Sequence, residues 1–268
     1  MDMSARNIDF GRTADDYRRH RAGFPDSLFT RLAVHGVGIA GQRLLDIGTG
    51  TGSLARGFAR RGCQVTGLDP STNLTAQARE LDGEAGVNID YVTSRIEDNT
   101  LPDASFDIVS AGQCWHWFDR PRAAAQCFRL LKPGGIVLCT NFDWLPAPGS
   151  VVEATEKLIL EHNPAWTAHS GHGIHYKEFA DLTGAGFHAL QSFSFDEDVP
   201  YTHESWRGRI RASAGIAASL PADAVARFDA AHAEMLVARF PQETLLTPHR
   251  IFALVGRKPY GDGEPRRA

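Results

Sequence analysis

The sequence predicts an α/β fold, and two observations carry that expectation. The run Leu44-Leu45-Asp46-Ile47 is short and apolar, as a buried strand is, glycines follow at alternate positions 48, 50 and 52, and helical periodicity resumes at Ser53. That is a strand, a tight turn and a helix. The same alternation then continues along the chain, with strands expected at 64–68, 88–93, 106–111 and 136–141 and helices at 53–61, 71–84 and 122–131. Crossovers between such sequential β-α units are right-handed.

The composition suits an ordinary globular chain: 268 residues, 43% hydrophobic and 22% charged, enough for one large domain or one with a cap. A formal charge of −4 supplies no electrostatic footprint for phosphate backbones. Arg18-Arg19-His20-Arg21 and Arg266-Arg267 read as solvated surface, Arg21 apart. No apolar run approaches the ~20 residues of a bilayer span. Met1-Asp2-Met3-Ser4-Ala5-Arg6 lacks a signal peptide's apolar core, so a cytoplasmic protein is expected. Cys63, Cys114, Cys127 and Cys139 form no C-x-x-C pair and fall mostly within expected strands and helices, as buried small hydrophobes do, with no disulfide or zinc site expected.

Asp26 to about Ala40 reads as a helix with Leu28, Leu32 and Val34 inward, leading to the first strand. In the glycine turn, a Cβ would hold a ligand off the backbone, and the N–H groups opening the next helix can bind an anion. A dinucleotide fingerprint would need its third glycine at position 53, which is Ser53, so hydride transfer loses ground. The second strand ends at Asp69. An acid about 20 positions after such a turn accepts hydrogen bonds from both ribose hydroxyls, and Asp69-Pro70-Ser71 also suits the N-cap of the next helix. At the end of the fourth strand, Trp115-His116-Trp117-Phe118 gathers three aromatics and a histidine where an open α/β sheet borders its ligand crevice. Phe142-Asp143-Trp144 closes the fifth strand on the same edge.

Beyond 142, helical inserts are expected at about 150–162 and 203–239, with a helix 175–185 and a strand 187–196 between them, then an apolar strand 251–256 and a disordered tail from 259. One domain over 1–258 results, with helical lids at about 150–180 and 203–240. His162, His169, His172 and His175 surround Gly171 and Gly173, but no Cys or carboxylate completes a metal set there; a substrate-facing loop is expected, and no metal.

Asp46-Ile47-Gly48-Thr49-Gly50-Thr51-Gly52 resembles motif I of the class I S-adenosylmethionine (SAM)-dependent methyltransferases, and three further segments match in order. Tyr17 to Pro25 is similar to the family's Tyr-x-x-x-Arg-Pro-x-Tyr-Pro, with Ala22 and Phe24 replacing the first proline and second tyrosine. His116-Trp117-Phe118 and Arg129 to Gly135 (R-x-L-K-P-G-G) are also similar to family segments. The resemblance implies a Rossmann-like, seven-stranded, mostly parallel sheet in order 3-2-1-4-5-7-6 with its last strand antiparallel and helices on both faces. It implies SAM as cofactor and S-adenosylhomocysteine (SAH) as product. By it, Tyr17 and Arg21 fold over the cofactor, their other reading being an exposed helix end. Asp46, Gly48, Thr49, Gly50, Gly52, Asp69, Pro70, Ser71, Gln113 and Cys114 line the cofactor, and Ile96 and Glu97 meet the adenine, Glu97 otherwise being a loop acid.

His116 and Asp143, both titratable and at strand ends, are the expected base or orienting residues. Trp115, His116, Trp117, Trp144 and Trp206 are the expected acceptor contacts, since π faces attract a methyl-bearing cation and stack on flat molecules. Nucleic-acid amino-methyltransferases of this class carry N-P-P-Tyr where this chain has Gln113-Cys114-Trp115-His116. The expected acceptor is therefore a small molecule with an N or O nucleophile, aromatic or heteroaromatic, served by a monomer or homodimer with neither nucleic acid nor membrane as partner. Intramolecular cyclisation of SAM, or SAM binding without turnover, would keep every cofactor motif and stays open.

Overall fold

The computed structural model describes residues 23–260 apart from 168, 214 and 218, so Tyr17, Arg21 and the tail beyond 260 lie outside the described residues. Two compact units share them: a sheet unit of residues 23–142, 174–194 and 251–260, and a second unit of 143–173 and 195–250.

In chain order the elements are α1 Asp26–Val34, β1 Arg43–Ile47, α2 Ser53–Ala59, β2 Gln64–Asp69, α3 Thr72–Ala85, β3 Asp90–Thr93, β4 Phe106–Gly112 and α4 Arg120–Leu130. β5 Leu131–Trp144, α5 Val151–His162, α6 Lys177–Gly184, β6 His188–Thr202, α7 His203–Arg211, α8 Ala222–Arg239 and β7 Thr244–Arg257 follow. The seven strands form one sheet in order β3-β2-β1-β4-β5-β7-β6. β1 pairs in parallel with β2 and β4, β2 with β3, and β4 with β5. β7 runs against β5: Thr140 Oγ1 donates to the Phe252 carbonyl while, at the other end, the Gly134 N–H donates to that of Lys258. This is the mixed, Rossmann-like sheet that the sequence predicts.

Leu45, Ile47, Val109, Val137 and Leu254 make the core of the sheet unit. β1 is buried on both faces after its first residue, as a central parallel strand is. All four cysteines are buried. The second unit has a core of its own around Trp206, Phe228, Ile159, Leu236 and Leu245.

Three expectations need correction and one gains detail. α1 stops at Val34, because Gly36 and Gly38 take φ of 78° and 82° and cannot extend a right-handed helix; Val34 is 85% exposed, and Phe29 rather than Val34 packs inward. The helical insert expected over 203–239 is present as two helices, with Pro221 starting α8 rather than continuing α7. β5 begins at Leu131, with the Lys132-Pro133-Gly134-Gly135 stretch absorbed in a register shift opposite Phe106 and Ile108. β6 and β7 run to 15 and 14 residues; β6 is the edge strand, half exposed along most of its length, so it lacks the apolar run that marks buried strands.

Candidate functional site

At the C-terminal end of β1 the chain enters a turn in which Gly48, Gly50 and Gly52 take φ of 60°, 55° and 75°. Only glycine adopts three such values in five residues without strain. The Thr49 N–H donates to the Leu68 carbonyl, which ties the turn to the end of β2. Asp69, the last residue of β2, is 6% exposed; its Oδ2 accepts from the Gly50 N–H at 2.9 Å and its Oδ1 from the Ser71 N–H at 2.8 Å. Ser71, not Asp69, caps α3, its Oγ accepting from the Leu74 N–H.

Gly52 is where the turn comes closest to its support. A Cβ there would stand 2.7 Å from Tyr91 Oη and 3.0 Å from Arg56 Nη1. The Arg56 guanidinium donates to the Thr51 carbonyl and to Asp82 Oδ1, and Tyr91 Oη donates to Asp82 Oδ2 at 2.8 Å. α2, α3 and β3 thus meet in one buried polar cluster against the turn. Sequence reasoning did not find this cluster, since nothing local marks Arg56 and Asp82 as partners.

Asp46 lies fully inside, its Oδ1 accepting from Ser110 Oγ at 2.7 Å. Burial pushes its carboxyl from an ordinary 3.8 up to about 6, against the Ser110 bond that favours the ionised form. Between about pH 4 and 6 the native chain holds a proton that the unfolded chain has released, so stability falls as pH rises through that window. A rise of this size is worth about 3 kcal/mol. Denaturant midpoints at pH 4, 5, 6 and 7 are expected to show this fall in the native sequence and a flatter profile in Asp46→Asn; equal slopes would refute it.

Ile96 is buried at the end of the third β-α crossover. Glu97 is buried too, but its Oε1 accepts from the Asp119 N–H at 2.9 Å, and Arg95 Nε flanks its Oε2 at 3.5 Å. This carboxylate braces the start of α4, and only Oε2 is left for an adenine amino group.

β4 ends in a reversal at Gln113, which holds a left-handed φ of 56° and donates from Nε2 to the Phe142 carbonyl. Cys114 follows with its thiol on the Ile47 carbonyl at 3.1 Å, and burial raises its pKa well above the usual range. Trp115 is 3% exposed and donates its indole N–H to Asp181 Oδ2 at 3.0 Å, with Arg120 on the same carboxylate at 3.4 Å. It is an anchor in the core rather than a plate for an acceptor. His116 and Trp117 are the exposed members of this short 3-10 turn, with ring centroids 4.8 Å apart and Trp117 41% exposed.

Asp143, Trp144 and Trp206 belong to the second unit. Trp144 is half buried, donates to Glu156 Oε1 at 2.9 Å and carries the Arg209 guanidinium 4.9 Å over its ring. Trp206 is fully buried, its indole N–H on Thr155 Oγ1 at 3.0 Å, so it packs the core and offers no open face. Asp143 bears on His249, which burial lowers to about 4 against the pull of that carboxylate. In the histidine-rich connection, the His172 carbonyl accepts from Arg250 Nη1 at 3.0 Å. Among the described residues no three His, Cys, Asp or Glu converge as a metal set, and no helix is long and apolar enough to cross a membrane.

The turn region fits a nucleoside. The direction a Cβ would take at Gly50 is open to 4 Å, a cradle that any larger residue would fill. Asp69 presents a buried carboxylate with lone pairs left over for hydroxyl donors.

Comparison with known proteins agrees. A family described as methyltransferase domain matches residues 45–139. A ubiquinone biosynthesis O-methyltransferase of Xanthomonas axonopodis pv. citri (strain 306) is 34% identical over 178 residues, which span 65% of this chain and 72% of the relative. Among solved structures, the YcgJ protein of Bacillus subtilis superposes with a TM-score of 0.56 at 22% identity, covering 88% of this chain and 98% of its own. The [4+2]-cyclase SpnF does so with 0.54 at 25% identity, covering 90% and 85%.

Proposed function

The chain belongs to the class I SAM-dependent methyltransferases, and we propose that it methylates an oxygen on a small, flat acceptor. The observation that supports this reading is the exposed His116–Trp117 pair set on the buried Trp115 anchor at the C-terminal end of β4. An indole face with an imidazole beside it suits an aromatic ring bearing a hydroxyl. The relative that acts in ubiquinone biosynthesis is named an O-methyltransferase, which favours oxygen over nitrogen. The net charge of −4 and the absence of N-P-P-Tyr after β4 argue against a nucleic-acid acceptor.

SAM supplies a methyl group already activated for in-line displacement. In this reading Asp69 holds the ribose hydroxyls, the Gly48–Gly52 backbone approaches the cofactor closely, and Ile96 borders the adenine. Trp117 orients the acceptor, and His116 takes the hydroxyl proton. Alignment alone can supply up to about 7–11 kcal/mol in favourable cases, and a base adds roughly 10²–10⁴-fold.

Incubation with SAM and a panel of hydroxylated aromatic acids, read by mass spectrometry, is expected to give one SAH per methylated product. His116→Ala should lower kcat by about 10²–10⁴-fold with SAM affinity unchanged. Full turnover in this variant would remove the base. SAM binding with no SAH from any member of the panel would overturn the acceptor class, and methylthioadenosine in place of SAH would mark cyclisation of the cofactor itself.

A further inference from the structure

We propose that Phe24 contacts the cofactor and recognises the positive charge of its sulfonium. The chain enters the sheet unit across the mouth of the glycine turn: a Cβ on Gly23 would lie 3.5 Å from Ser53 Oγ, at the first residue of α2. The next residue, Phe24, lays its ring on Gly112, the last residue of β4. A Cβ at Gly112 would meet Phe24 Cε2 at 3.1 Å, Cζ at 3.2 Å and Leu54 Cδ2 at 3.0 Å, so the ring fits because that side chain is missing. Ile47 and Ala111 are register partners, which puts Gly112 beside Gly48, where the turn begins. Phe142, at the end of β5, closes the other side with its centroid 6.1 Å from that of Phe24.

Phe24 therefore stands with Leu54 and Phe142 in an apolar wall at the carboxyl ends of β1, β4 and β5, where open α/β sheets bind their ligands. Unlike Phe29 and Phe58, 2% and 0% exposed, it stays half buried and keeps ring surface available. Within the described residues this wall offers an aromatic face but no carboxylate, and an aromatic face in apolar surroundings attracts a cation by its quadrupole. SAM carries that cation, whereas SAH is a neutral thioether there. The contact thus separates cofactor from product by charge. The adenosine and the amino acid tail are common to both, so contacts to those parts cannot make this distinction.

The inference rests on SAM as the cofactor, and calorimetric titration with SAM and with SAH separates the two. Phe24→Leu, which keeps apolar bulk, is expected to raise the ratio Kd(SAM)/Kd(SAH) by about 2- to 30-fold, the span of a cation–π contact from exposed to desolvated. Phe24→Trp, which keeps a π face, should hold the ratio at or below that of the native sequence, and Asp69→Ala should weaken both ligands alike. An unchanged ratio in Phe24→Leu, or a raised one in Phe24→Trp, overturns the assignment even though the native chain binds SAM. Failure of the native chain to bind either ligand would instead remove the cofactor.

Discussion

Asp69→Ala is expected to lower SAM affinity by at least 100-fold, the largest loss of cofactor affinity expected of any single substitution in the sheet unit. A hydrogen bond to a charged group contributes about 1.5–3 kcal/mol, and a ribose offers two hydroxyls to this carboxylate. The carboxylate also bridges the Gly50 and Ser71 N–H groups, so its loss frees the turn at the same time. The two contributions separate by comparison. Asp69→Asn keeps an oxygen for one of the N–H groups and should recover part of the affinity, whereas a cost from the loosened turn alone would appear as a lower melting temperature without ligand. Titration calorimetry with SAM checks this; an affinity within threefold of the native value would remove Asp69 from the ribose site.

The largest effect on stability is expected at Asp82. Its carboxylate pairs with Arg56, whose side chain is 12% exposed, and accepts from the Tyr91 hydroxyl, itself held far above its ordinary pKa chiefly by burial. Asp82→Ala leaves the guanidinium buried with only the Thr51 carbonyl of these partners. Breaking a buried pair from one side costs about 3–5 kcal/mol, because the remaining charge is uncompensated. For a chain of this size each kcal/mol shifts the melting temperature by roughly 2–4 °C, so a drop on the order of 10 °C is expected. Tyr91→Phe removes one neutral donor and should cost about 1 kcal/mol. A melt of Asp82→Ala within 2 °C of the native one would show that this pair carries no stability.

What could be read from the sequence was local. Three glycines in five residues after an apolar run announce their turn because all three take positive φ there, and Asp69 follows at a spacing set by one helix and one strand. Trp115, Trp117 and Trp206 could not be sorted in this way. Each is an indole at or near a strand end or helix start. What decides between anchor and open face is a partner far along the chain: Asp181 lies 66 positions from Trp115, and Thr155 lies 51 from Trp206. Glu97 is a case of the same kind, since which of its oxygens is occupied is set by an N–H 22 residues on. The outer strands hid for a different cause, since β6 alternates between half-buried and exposed and never presents an unbroken apolar run.

The position of β7 sets the order in which this chain can be completed. It is the last strand in sequence but lies between β5 and β6 in space, and the bond from Thr140 to Phe252 closes a span of 112 residues. Until the ribosome has released the residues of β7, β5 presents a bare row of amides and carbonyls beside an apolar surface, and β6 has no neighbour to pair with. From the end of β5 to the end of β7 a growing chain therefore carries an open edge inside its future sheet, the kind of surface on which other unfinished chains stack. A premature stop after β5 is complete and before residue 251 would leave that edge open for good. Such fragments should accumulate as insoluble aggregates even though every residue of the glycine turn, Asp69 and the aromatic turn is already in place.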